Sequence, residues 1–112
     1  MSFTEKSAET RNNLRTLRRS IPDTFAGFVQ MEQAASRDGA LSHKEKELIA
    51  LGIAVALRCE DCIISHAGAC LRAGCSREEV AEALGTAIQM SGGPGLMYAG
   101  KAMAAFDELS AG

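Results

Sequence analysis

The sequence predicts an all-α protein, a single-domain bundle of about six helices over residues 1–112. Apolar residues recur at helical spacing along the chain, without the two-residue alternation that is typical of strands. Ser42 with Glu45, and Ser76 with Glu79, have the spacing of capping boxes, which open helices. A chain of 112 residues has room for one core, since single domains usually take roughly 100–200 residues.

The first two predicted helices lie on either side of Pro22. A polar, arginine-rich segment forms the first, over residues 4–19. Pro22 suits the first turn of the second, because proline is tolerated at that position. We expect Asp38-Gly39 to end the second helix, with Gly39 supplying a left-handed residue. Its apolar residues follow at helical spacing: Phe25, Phe28 and Val29.

The first helix carries a cluster of arginines that invites a binding hypothesis. These residues could form an anion site, but Glu5 and Glu9 offset part of their charge. We therefore favour a solvated helix face. The cluster consists of Arg11, Arg15, Arg18 and Arg19.

The third predicted helix contains an uninterrupted apolar run, residues 48–57. A helix that is apolar all round is expected to be buried on all sides, in the core or in a subunit interface. The run is too short to span a bilayer, which takes about 20 residues. Arg58 ends it, and Glu60 and Asp61 form the acidic first turn of a fourth helix, which Gly74 terminates.

The fifth predicted helix begins at Ser76 and stops at a glycine-rich break, residues 91–95. A last helix then runs to about Leu109. Such glycines could cradle a phosphate, but no GK[ST] or GxGxxG motif surrounds them, so a plain turn is favoured.

Composition narrows the classes of function. Twelve basic and fourteen acidic residues give a net charge of −2. The chain therefore lacks the excess of positive charge that is typical of nucleic-acid-binding proteins. With no spanning segment for a membrane and no secretory signal, we expect a cytoplasmic protein. Aromatic residues make up only 4% of this small chain, so self-association is expected. Structural disulfides are rare in the cytosol, so the four cysteines are expected to be catalytic, metal-binding or inert.

The chemistry is expected to lie between Glu47 and Cys70. Cys59 and Cys62 form a C-x-x-C at the start of a helix, and His66 falls on the same helix face. Cysteines three apart on a helix have Cα atoms roughly 5–6 Å apart, within reach of a disulfide. Helix amides stabilise a thiolate, and a histidine one turn on can relay its proton. Glu47, on the facing helix, is a candidate carboxylate to orient that histidine.

The residues alone leave the identity of the nucleophile open. The helix dipole favours Cys59 as the nucleophile, whereas hydrogen bonding to His66 favours Cys62. The pattern Cys59, Cys62, His66, Cys70 resembles a zinc site, but one helix would spread these ligands over roughly 16 Å, so no metal is expected. Cys70 and Cys75 are interpreted as small core residues.

The spacing E-x11-C-x2-C-x3-H resembles the signature of alkylhydroperoxidase D-like proteins of the carboxymuconolactone decarboxylase superfamily. The flanking LGIAVA and AEAL…GGP segments are also similar, and the resemblance covers roughly residues 20–108, the expected core of the domain. It implies an all-helical homo-oligomer, often a trimer or hexamer. It also implies an antioxidant thiol peroxidase or disulfide reductase without a cofactor.

By this resemblance, Cys62 is the peroxidatic cysteine and Cys59 resolves its sulfenic acid to a disulfide. His66 and Glu47 would form the proton relay, and a lipoyl or thioredoxin-like protein would supply the reducing dithiol. Asp61 stands where well-studied members carry a histidine, and a carboxylate there disfavours a neighbouring thiolate unless it faces solvent. The alternatives are a lactone decarboxylase of the same superfamily, which lacks the paired cysteines, and a non-catalytic oligomeric binding module.

Overall fold

The computed structural model describes all of residues 1–112 and contains five α-helices and no strand, which confirms the predicted all-α class. The helices are α1 (Phe3–Ser20), α2 (Pro22–Ser36), α3 (His43–Ala56), α4 (Glu60–Arg72) and α5 (Arg77–Ala111). None of them combines the length and the apolar composition that crossing a bilayer requires.

Reciprocal capping boxes fix the starts of α3 and α5, as the sequence predicts. The Ser42 hydroxyl accepts the Glu45 N–H at 3.1 Å, and the Glu45 carboxylate accepts the Ser42 N–H at 2.9 Å. Ser76 and Glu79 repeat this arrangement at 3.1 and 2.8 Å. These bonds satisfy amides that have no partner within the helix, so each start is defined locally.

The helices α3 and α4 end in the same way, on a residue with left-handed backbone. Arg58 has φ 57° after α3, and Gly74 has φ 84° after α4. The next residue then donates its N–H back into the helix: Cys59 to the Ala54 carbonyl at 3.2 Å, and Cys75 to the Cys70 carbonyl at 2.9 Å. This is the Schellman arrangement, which satisfies free carbonyls at a helix end. Gly74 was predicted for this position.

The predicted end of α2 is wrong. Gly39 does not take positive φ, and the helix stops earlier, where Arg37 is extended (φ −63°, ψ 154°). Side chains stabilise the connection instead: the Asp38 carboxylate accepts the His43 N–H at 2.7 Å, and Lys46 donates to the Arg37 carbonyl at 2.7 Å. With those bonds in place, the chain needs no left-handed residue.

The predicted break near residues 91–95 appears as a kink rather than a gap. Gly92 has φ 70° and ψ −149°, which are not helical, while helical hydrogen bonding continues on both sides. Pro94 follows two residues later, where the second half of α5 begins anew and a missing N–H costs little. The expected sixth helix is therefore the second half of a kinked α5.

The core forms where α3, α4 and α5 pack together. Its fully buried side chains include Leu51, Val55, Ile63 and Val80. Neither α1 nor α2 contributes a buried residue. The prediction that residues 48–57 are buried on all sides does not hold within one chain, because Ile53 is 53% exposed. A helix that lies along two neighbours covers one face only, and its other face stays open.

Candidate active site

Cys59 and Cys62 form a disulfide at the first turn of α4, with their Cα atoms 5.2 Å apart. Cys59 is the N-cap residue, and its sulfur accepts the backbone N–H of Cys62 at 3.3 Å. An amide aimed at sulfur at a helix N-terminus stabilises negative charge there, which is the condition for a reactive thiolate. Both residues are half-buried, so solvent retains partial access to the pair.

A carboxylate and an imidazole lie beside this pair. Glu47 on α3 is buried, and its carboxylate oxygen Oε2 is 2.9 Å from Nδ1 of His66 on α4. Because a carboxylate accepts, Nδ1 carries the proton and Nε2 is left as the free acceptor. His66 is itself half-buried, with 30% of its side chain exposed, and it lines a cavity.

A cavity of about 270 Å³ opens next to this hydrogen-bonded pair. Its walls include Glu47, His66, Ser65, Ala69 and Ala73. At 100° per residue, the three named wall residues on α4, Ser65, His66 and Ala69, lie within about 60° of the direction of Cys62. The cavity therefore borders the face of α4 that carries the cysteine, one turn beyond it.

This geometry brings together the four residues singled out in the sequence. Glu47 reaches His66 from the facing helix, and Cys59 and Cys62 lie one to two turns before that histidine on the same helix. A thiol, a proton acceptor and a carboxylate that orients the acceptor are the components of acid–base-assisted thiol chemistry. Their roles in a reaction are taken up below as a proposal.

The second pair of cysteines lies at the opposite end of α4. Cys70 and Cys75 are both buried, as expected for core residues. Burial raises the pKa of the Cys70 thiol to about 12, and burial also raises the pKa of Cys75. No group of three or more His, Cys, Asp and Glu side chains is arranged to hold a metal ion.

One feature beside the site was only partly anticipated from the sequence, which drew attention to Arg11 but not to Arg72. Asp61 is exposed and lines a second cleft of about 420 Å³, together with Arg11 and Arg72. Arg72 and Ser65 also line the cavity beside His66, so the two spaces adjoin. Arg72 stands ten residues after Cys62, outside any motif, so sequence spacing gave no signal for it.

Comparison with known proteins gives consistent results. The model of the carboxymuconolactone decarboxylase family matches residues 22–105. An uncharacterised protein of Cupriavidus necator is 42% identical over 103 residues, which cover 92% of this chain and 91% of that protein.

Two solved structures resemble this fold. A carboxymuconolactone decarboxylase family protein from Legionella pneumophila, solved in its apo form, has a TM-score of 0.94 and 42% identity over 96% of both chains. A family member from Thermotoga maritima, described as a candidate participant in the antioxidative response, has a TM-score of 0.83 and 32% identity. That match covers 95% of this chain and 91% of the other.

Proposed function

The chain belongs to the carboxymuconolactone decarboxylase family, and from this premise we propose that it is a thiol peroxidase or disulfide reductase. The observation that carries the proposal is the Glu47–His66 pair at 2.9 Å beside a C-x-x-C at a helix N-terminus. The likeness to the Thermotoga protein supports an antioxidative role.

In the proposed cycle the Cys62 thiolate attacks the outer oxygen of a hydroperoxide, forming a sulfenic acid and breaking the O–O bond. The alkoxide leaves as an alcohol after taking a proton, which His66 supplies from Nε2. The Cys59 thiol then attacks the sulfenic sulfur, releasing water and forming the Cys59–Cys62 disulfide. An external dithiol, from a lipoyl or thioredoxin-like protein, reduces this disulfide and is itself oxidised.

The residues differ in what they contribute. Glu47 holds His66 in the tautomer whose Nε2 accepts the thiol proton, so it is a positioning residue. The Cys62 amide aimed at the sulfur of Cys59 makes Cys59 a good leaving thiolate when the disulfide is reduced. Asp61 faces solvent, which supports a usable thiolate next to it.

The test is peroxide consumption with a dithiol reductant, comparing wild type with Cys62→Ser and Cys59→Ser. Cys62→Ser should lose turnover to below about one thousandth of wild type, because it removes the half-buried thiol one turn before His66, whereas Cys70, one turn after His66, is buried and its pKa is raised to about 12. Cys59→Ser should still consume one equivalent of peroxide and then stall as the sulfenic acid. Cys75→Ser, which changes a buried thiol elsewhere, is the control. Equal turnover in wild type and Cys62→Ser would refute the proposal.

We also propose that the protein works as a homo-oligomer in the cytoplasm, a trimer or hexamer. Helix α2 buries none of its residues, although a 15-residue helix is marginal in water without packing. Ile49, Ile53 and Met90 line an apolar groove of about 380 Å³ between α3 and α5. A second copy covering these surfaces would supply the burial that one chain lacks.

Light scattering coupled to size-exclusion chromatography tests the assembly. Wild type should elute as a multiple of 11.8 kDa, and Ile53→Glu should shift the population towards single chains. Asn13→Glu, on the polar helix α1, is the control and should leave the mass unchanged. A wild type that runs as a single chain at micromolar concentration would refute this part of the proposal.

A further inference from the structure

The cleft beside the site contains two arginines that form no ion pair within the chain. Arg11 of α1 and Arg72 of α4 both line it. Neither guanidinium takes part in any of the five ion pairs of the chain, or in a side-chain hydrogen bond. Asp61 is the only carboxylate in the lining, and it is bonded to neither arginine. The cleft therefore has an excess of positive charge.

Contacts between helices hold the walls of this cleft in place. Glu60, the first residue of α4, accepts from Lys6 of α1 and from Lys101 of α5, each at 2.9 Å. The Glu108 carboxylate accepts the Thr4 N–H at 2.7 Å and its hydroxyl at 3.0 Å. These contacts hold α1 against α4 and α5, so the position of the cleft wall that α1 forms is defined by bonds between helices.

The position of Arg72 relates the cleft to the thiols. A Cβ placed on Gly68 would lie 3.2 Å from Nη1 of Arg72, so the side chain runs back over that glycine towards the start of α4. Gly68 is about 9 Å further along the helix axis than Cys62, at 1.5 Å rise per residue. Arg72 also lines the cavity beside His66. An anion bound to this guanidinium beside Gly68 would thus lie about 9 Å from Cys62 along the helix axis.

We propose that Arg72, assisted by Arg11, binds a carboxylate of the organic substrate and so selects acidic hydroperoxides or disulfides over neutral ones. A planar guanidinium matches a carboxylate with two parallel N–H···O bonds. Hydroxyl groups of Ser7, Thr10 and Ser65 line the same cleft and can complete the anion's hydrogen bonds. The remainder of the substrate then extends along α4 towards Cys62. This inference rests on the proposed function, since it names the substrate class of that site.

The first arm of the test measures rates with two disulfide probes. The reduced protein reacts with 5,5′-dithiobis(2-nitrobenzoate), whose rings carry carboxylates, or with neutral 4,4′-dithiodipyridine. A protein thiolate attacks the probe disulfide and expels one probe thiolate; the second cysteine displaces the other and closes the Cys59–Cys62 disulfide. Arg72→Gln should slow the carboxylate probe about tenfold and the neutral probe less than twofold. Arg72→Lys should recover part of the lost rate with the carboxylate probe, since it keeps the positive charge but cannot form the two parallel N–H···O bonds.

A matched control separates a local site from general charge. Arg15→Gln removes the same charge one turn beyond Arg11 on the same helix, outside the cleft. It should leave the ratio of the two probe rates within twofold of wild type. The proposal would be overturned if Arg72→Gln slowed both probes equally. It would also be overturned if Arg15→Gln changed the ratio of the two probe rates as much as Arg72→Gln does.

The second arm does not depend on redox activity. Hexanoate is titrated into the oxidised wild-type protein at constant ionic strength, and amide shifts are followed by NMR, with hexanol as the neutral control. Shifts at Ser65, Gly68 and Arg72 are expected with hexanoate alone and should vanish in Arg72→Gln. Binding without peroxide or disulfide turnover would support the anion site and refute the proposed function. Turnover of peroxide or disulfide without hexanoate-induced shifts in the cleft would support the proposed function and refute the anion site.

Discussion

The two ends of α4 carry two pairs of cysteines with opposite properties. Cys59 and Cys62, at the N-terminal end, are half-buried and joined as a disulfide, and the Cys62 N–H donates to the Cys59 sulfur. Cys70 and Cys75, at the C-terminal end, are buried free thiols, and the Cys75 thiol lies 3.9 Å from the Lys44 carbonyl oxygen. A helix N-terminus favours a thiolate and its C-terminus disfavours one, and burial adds to the difference. One helix thus separates a reactive thiol pair from an inert one.

Thiol reactivity should differ most between the two pairs. In the reduced native protein at pH 8, titration with dithiodipyridine should show two fast thiols and two slow thiols. The slow thiols should react at no more than about one thousandth of the fast rate. The reason is that the pKa of Cys70 is raised to about 12, so almost none of it is thiolate at that pH. All four thiols should react quickly once the chain is unfolded in guanidinium. Four fast thiols in the native protein would remove the distinction between the pairs.

Removing the carboxylate from His66 tests what makes the N-terminal pair catalytic. Glu47→Gln should lower kcat/KM for peroxide by about a hundredfold, because the amide oxygen can still accept from Nδ1 but lacks the negative charge that stabilises His66 when Nε2 takes the thiol proton. The pH–rate profile should change shape as well, which a purely structural defect would not cause. Glu79→Gln is the matched control, since it alters another acid bonded to a basic side chain, Lys44. Equal profiles for wild type and Glu47→Gln would contradict a proton relay.

The two residues with left-handed backbone that directly precede Cys59 and Cys75 offer a test of backbone strain. Arg58 and Gly74 both adopt left-handed backbone, which costs a non-glycine residue roughly 1–2 kcal/mol. Arg58→Gly should therefore raise the free energy of unfolding by up to about 1 kcal/mol, and Gly74→Ala should lower it by about 1 kcal/mol. Urea denaturation with unchanged m-values measures both. Gly85→Ala, in the regular part of α5, is the control, and changes of the same sign at both positions would contradict the shared motif.

The smallest expected effect concerns the anchoring of α4 at its first residue. Hydrogen bonds from Lys101 and then Lys6 lower the pKa of Glu60. A lowered folded pKa means that this contribution is present above the ordinary value of 4.5 and is lost as the pH falls through the folded value. Glu60→Gln should cost about 1 kcal/mol or less at pH 7, as surface ion pairs do, and a smaller amount at pH 3. A cost that is the same at both pH values would show that the charge is irrelevant.

Local signals in the sequence were sufficient for several elements. Ser42 and Ser76 each bind their own helix within three residues, so the starts of α3 and α5 could be predicted from spacing. Gly74 was identifiable because glycine alone adopts left-handed backbone without strain. Arg58 takes the same conformation against that preference, and Gly39 does not take it, so glycine content alone misplaces helix ends.

By itself, the sequence determined the helical class, the C-x-x-C at a helix start and the four candidate residues Glu47, Cys59, Cys62 and His66, because these depend on short-range periodicity and spacing. Tertiary structure decided that Glu47 meets His66 at 2.9 Å across nineteen residues of chain. It also decided that Arg11 and Arg72 share a cleft. The physical reason is that helix periodicity fixes which face a residue occupies, whereas only the packing of α1, α3, α4 and α5 fixes which faces meet.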